Sequence, residues 1–82
     1  MFYGGLNPMI IDLKIIGANC KDFRIKSGYY QMDVANETGY SIENVSSFEN
    51  GRNDNLRLML WYMTHGMKID DILKGYEHEK KI

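Results

Sequence analysis

Two histidines, one cysteine and an adjacent pair of aspartates are the residues from which reaction chemistry would have to be built. His65 and His78 stand thirteen residues apart, with no acid at ligand spacing, so they do not compose a metal site. Cys20 is the single cysteine, which excludes an internal disulfide and a multi-cysteine zinc site. It falls on an apolar stripe, where a thiol packs rather than reacts. Asp70-Asp71 suits the positive end of a helix better than an acid–base pair. Asn36-Glu37-Thr38 and Asn44-Val45-Ser46 match the glycosylation pattern, but they lie inside expected helices. The first residues also lack the basic start and small-residue cleavage site of a signal peptide. Neither a glycine-rich phosphate loop nor a nucleophile–base pairing is readable. These residues imply no enzyme activity, no cofactor and no metal.

What remains is the chemistry of recognition. Between Gln31 and Gly51 the chain places Gln31, Val34-Ala35, Gly39, Ser41, Val45-Ser46, Glu49 and Gly51 at the spacing of a helix-turn-helix. Ala35 must be small because two helices cross there at close range. Gly39 must accept a positive φ to make the sharp turn. Ser41 caps the second helix, and Val45 and Phe48 seal it onto the first.

Further elements must hold that pair. Met9, Leu13, Ile16, Cys20 and Phe23 recur at spacings of four and three, an apolar helical stripe. Ile11, Leu13 and Ile15 also alternate with Asp12 and Lys14 as a strand would. A helix from about Lys14 to Lys26 is favoured, ended by Ser27-Gly28. An extension before it, capped by Asn7 with Pro8 in its first turn, stays open. Helices follow at Gln31 to about Thr38, Ile42 to Asn50, Leu56 to about His65 and Ile69 to Lys74. In the fourth, Leu56, Met59, Leu60 and Met63 form the inward stripe. One of Trp61 and Tyr62 should therefore point outward, either beneath the C-terminal tail or into a dimer contact.

A chain of 82 residues allows one domain and excludes a barrel or a doubly wound dinucleotide fold. Hydrophobic residues at 44% and charged residues at 26% describe an ordinary globule, with no apolar run long enough to span a membrane. A net charge of −1 argues against indiscriminate nucleic-acid binding. The expectation is an all-α fold of five short helices around one core. Residues 1–8 form an N-terminal arm, 9–76 the helix-turn-helix domain and 77–82 a charged tail. Met9 serves equally well as the start. Val34, Ala35, Val45, Phe48, Leu56, Leu60 and Ile72 should be buried, with Cys20 and Phe23 beside them.

From about Ile16 to Gly75 the sequence resembles the Cro and phage-repressor helix-turn-helix family. Gln31 to Gly51, preceded by Arg24 and Gly28 and followed by the Leu56 to Gly75 helices, carries the resemblance. It implies a recognition helix at Ser41 to Asn50, with Ile42, Glu43 and Ser47 at base-reading positions in the major groove. It also implies phosphate contacts from Gln31, Asn50 and Arg52, and a phosphate or minor-groove contact from Arg57. Arg24 and Glu49 fall where the family places a salt bridge between the first and third helices.

Two departures stand out. Tyr30 replaces the hydroxyl residue that usually caps the second helix. The recognition helix carries two acids, Glu43 and Glu49, and no base, although glutamate can accept from cytosine N4. The expected function is a small, cytoplasmic, sequence-specific DNA-binding transcriptional regulator of the phage or prophage repressor type. It would act as a homodimer through about Leu58 to Tyr76, with Trp61 or Tyr62 in the contact. The alternative is a protein-binding module, an antirepressor or other phage-encoded inhibitor, whose acidic face meets a basic partner.

Overall fold

The computed structural model describes residues 11–76, and every regular element among them is a helix. The first, α1, spans Leu13–Lys26. The Asp12 carboxylate accepts from the Lys14 N–H at 2.9 Å and caps it. The strand reading of Ile11, Leu13 and Ile15 is therefore not realised. Asn7-Pro8, Met9, the 1–8 arm and the 77–82 tail lie outside the described residues. At the other end Tyr29 N–H donates to the Arg24 carbonyl and Gly28 N–H to the Ile25 carbonyl, both at 3.0 Å. That paired pattern is a Schellman stop, which explains why Ser27-Gly28 ends the helix.

Helix α2 covers Gln31–Thr38 and α3 covers Ile42–Glu49. Gly39 joins them at φ 83°, the left-handed turn that the sequence demanded there. Ser41 Oγ accepts from Asn44 N–H at 3.1 Å and starts α3. Tyr30 contributes no hydroxyl cap to α2. Instead the Asp33 carboxylate reaches back to the Tyr30 N–H at 2.7 Å, half of a capping box. Helix α4 runs Leu56–Thr64 and α5 is one short turn, Ile69–Ile72. Helix α3 packs on α1 and α2, α4 packs on α2 and α1, and α5 closes against α1. No described helix is long and apolar enough to cross a membrane.

The core gathers Cys20, Val34, Val45, Phe48, Leu58, Tyr62 and Ile72, with Phe23 packed at its edge. Here α4 corrects the sequence expectation. Leu56 is 62% exposed and Leu60 47% exposed, whereas Trp61 and Tyr62 are buried at 6% and 0%. The helix is rotated so that Leu56, Leu60 and Met63 of the supposed inward stripe face out, Met59 stays packed at the core's edge, and both aromatics face in. Two causes act together. Trp and Tyr bury more apolar area than leucine, and only this rotation lets their polar tips meet carboxylates on α2 and α3. The Trp61 indole N–H donates to Glu37 at 2.8 Å, and the Tyr62 hydroxyl donates to Glu49 at 2.6 Å.

Ala35 is buried as expected, and a further close approach lies at Gly17 on α1. A Cβ added there would stand 2.5 Å from the Phe48 carbonyl oxygen and 2.6 Å from that of Glu49. The backbones of α1 and the C-terminal end of α3 are effectively in contact.

Candidate nucleic-acid interface

The site is built outward from one buried carboxylate. Glu49, at the end of α3, accepts from Arg24 Nε at 2.7 Å and from a terminal Arg24 nitrogen at 3.0 Å. Gln31 Nε2 donates to it at 3.1 Å and the Tyr62 hydroxyl at 2.6 Å. The remaining Arg24 nitrogen donates to the Tyr29 carbonyl at 2.9 Å. Every lone-pair site that an ionised carboxylate offers is thus engaged, and α1, α2, α3 and α4 are tied at a single point.

Burial alone would raise the Glu49 carboxyl. The hydrogen bonds from Arg24, Tyr62 and Gln31 outweigh it and hold the carboxyl below the usual range. Arg24 is raised by its bond to Glu49. Tyr62 is raised first by burial and then by donating to Glu49. The neighbouring Cys20 thiol, wholly buried, is pushed up to about 12 by burial and by Glu49. It is a packed thiol rather than a nucleophile.

With its inner side fastened, α3 turns its other side outward. At roughly 100° per residue, Glu43, Ser47 and Asn50 lie opposite buried Val45 and Phe48. Glu43 and Asn50 are exposed and Ser47 is half-buried. Ile42 stands at the edge of that face, 37% exposed. The three residues expected to read bases therefore share a surface with Asn50. Gln31 differs, since one of its amide N–H groups is already committed to Glu49.

Two arginines bracket the face. Arg52 follows the C-terminal end of α3, where its backbone N–H donates to the Ser47 carbonyl at 2.8 Å. Arg57 lies over the Tyr40 ring, 6.0 Å from its centroid, beside the turn that leads into α3. Among the described residues neither guanidinium has a carboxylate partner. Asn50 Nδ2 makes one long bond to Ser46 Oγ at 3.4 Å.

A second polar cluster had no signal beyond its residue types. Glu37 Oε1 takes the Trp61 indole N–H and lies 3.1 Å from His65 Nε2. The His65 ring stacks on Trp61 at 3.9 Å, and its Nδ1 lies 2.7 Å from the Trp61 carbonyl. The cluster clamps the end of α4 to α2. His65, which the sequence offered only as a poor metal ligand, packs here as a structural side chain. Among the described residues no group of three potential metal ligands converges. Comparison with protein-family models, with curated proteins and with solved structures returns no match.

Proposed function

We propose that the chain is a small sequence-specific DNA-binding transcriptional regulator of the phage or prophage repressor type. It acts in the cytoplasm as a homodimer that occludes its operator. One arrangement supports the reading: α3 is fixed from behind by the Glu49 network, its outer side is open, and an unpaired arginine stands at each end. An α-helix with its side chains is about 10–12 Å across, which the roughly 12 Å wide major groove admits. On this reading Ile42, Glu43 and Ser47 meet base edges. Asn50, Arg52, Arg57 and the free half of the Gln31 amide fix register on phosphates.

The first experiment is a gel shift of the purified protein with DNA flanking its own gene, at low and moderate salt. A retarded band that weakens as salt rises is the expected result. Arg57→Ala should then weaken binding to every duplex and lower the slope of log affinity against log salt by about one. Glu43→Gln removes a charge that repels phosphate. Nonspecific affinity should rise while preference among operators falls.

A specific observation favours a second reading, a protein-binding module of the antirepressor or inhibitor kind. Besides the buried Glu49, helices α2 and α3 carry Asp33, Glu37 and Glu43 and no lysine or arginine. If the partner is a basic protein surface, the mutant signs reverse. Glu43→Gln weakens that complex, and Arg57→Ala changes little.

The dimer contact must also be reassigned, because Trp61 and Tyr62 are used inside the fold. Leu56, Leu60 and Met63 lie at i, i+4 and i+7 on the outward side of α4. They offer the apolar strip that a two-fold contact needs, with half-sites about 34–36 Å apart in the phage-repressor manner. Leu60→Glu should convert the dimer to a monomer in sedimentation at high concentration while the helical signal stays intact. A wild-type protein already monomeric under those conditions would remove the dimer from the proposal.

A further inference from the structure

Arg57 is held by an aromatic ring and, among the described residues, by no acid. Tyr40 itself is anchored. It occupies the turn between α2 and α3, is half-buried, packs against the core and donates its backbone N–H to Thr38 Oγ1 at 3.3 Å. The contact differs in kind from that of Arg24, whose fork is spent on Glu49 and the Tyr29 carbonyl. A carboxylate partner would occupy the guanidinium N–H edges. A ring takes only one planar face and leaves those edges open. The separation of 6.0 Å is at the outer range of such attractions, which strengthen as water is displaced.

We propose that Tyr40 is the positioning residue for Arg57, holding its guanidinium beside the N-terminal end of α3 with the N–H edge open to a phosphodiester oxygen of duplex DNA. The inference rests on the DNA-binding reading and deepens it. Tyr40 touches no phosphate in this scheme. It shortens the search that a long, freely rotating side chain must otherwise make on each encounter, and so acts entirely through Arg57.

A double-mutant cycle tests it, with a mixed-sequence duplex as the probe and fluorescence anisotropy as the readout. Tyr40→Leu is expected to weaken binding by about threefold. In an Arg57→Ala background the same substitution should have no further effect, and Tyr40→Phe, which keeps the ring, should bind as wild type. Losses that simply multiply would mean that Tyr40 is structural and would overturn the proposal, as would an Arg57→Ala protein that binds normally. Should Tyr40→Leu fail to fold, NMR of the wild-type and Tyr40→Phe proteins decides. The Arg57 Hε signal should be shifted upfield of that of Arg52 by the ring current, and equal shifts would refute the contact. A wild-type protein that binds no duplex at low salt overturns the DNA reading and this inference together. Normal wild-type binding with multiplicative losses overturns the inference alone.

Discussion

Arg24→Leu is expected to destabilise the fold by about 3–5 kcal/mol, because it leaves Glu49 charged and buried without its counter-ion. A small domain has a total stability toward the lower end of roughly 5–15 kcal/mol, so the variant should be largely unfolded at moderate urea. The effect is predicted to be non-additive. Glu49→Gln placed on top of Arg24→Leu removes the stranded charge, and the double variant should be more stable than Arg24→Leu alone. The pH dependence follows from the depressed Glu49 carboxyl. Its contribution is fully present above the ordinary carboxylate range and is lost as pH falls through the lower folded value. Wild-type stability should therefore drop on acidification, while the deficit of Arg24→Leu shrinks as Glu49 takes up a proton. Urea titrations followed by circular dichroism across that range measure both. A single variant within about 1 kcal/mol of wild type would show that the pair contributes little.

Gly17→Ala should also destabilise, against the direction of helix propensity. Alanine is favoured over glycine inside a helix by about 1 kcal/mol. Here the new methyl would meet the carbonyl oxygens of Phe48 and Glu49 at 2.5 and 2.6 Å. Those are backbone atoms and cannot swing aside, so α1 and α3 must separate. Overpacking of this kind costs about 1–3 kcal/mol and sometimes more, and separation also pulls Arg24 from Glu49. A net loss of about 1–2 kcal/mol is expected once the propensity gain is subtracted, seen as a fall in the thermal midpoint. A raised midpoint would mean that the helices part more easily than the geometry implies.

Helix boundaries were largely legible because local chemistry writes them. Gly28, Gly39 and Gly51 sit at positive φ, and Ser41 caps as expected. The start of α1 was harder, since Asp12 could serve equally as the polar step of an alternating strand. The phase of α4 was not legible. Leu56, Leu58, Met59, Leu60, Trp61, Tyr62 and Met63 spread apolar surface around nearly its whole circumference, so periodicity selects no side. What selects the side is remote: the Glu49 and Glu37 carboxylates, 13 and 24 residues from their aromatic donors. The Arg24–Glu49 bond, across 25 residues, came from the family resemblance and not from spacing. A buried carboxylate asks for more donors than one arginine supplies, and Gln31 and Tyr62 supply them, but nothing in the spacing marks either as a partner of Glu49. Gly17 left a fainter mark, a glycine inside a strongly periodic helix, which is a recognised sign of close backbone approach. Ile42 and Glu43 are exposed and Ser47 is half-buried on the outward side of α3, but what they meet is a matter of chemistry that the fold alone does not fix.

Along α3 the obligations to the fold are gathered late and the liberties early. Val45, Phe48 and Glu49 are buried, and the backbone after them lies against α1, whereas Ile42, Glu43 and Asn44 are exposed. The helix is consequently a module with a root fixed by packing and a tip free of buried contacts. Substitutions at the tip change what is presented to a partner without touching the buried hydrogen bonds, so they lie outside the mechanisms that make single mutations severe. A scaffold divided in this way can acquire a new target through single substitutions while every intermediate stays folded, and it lends itself to re-targeting by randomising three adjacent positions.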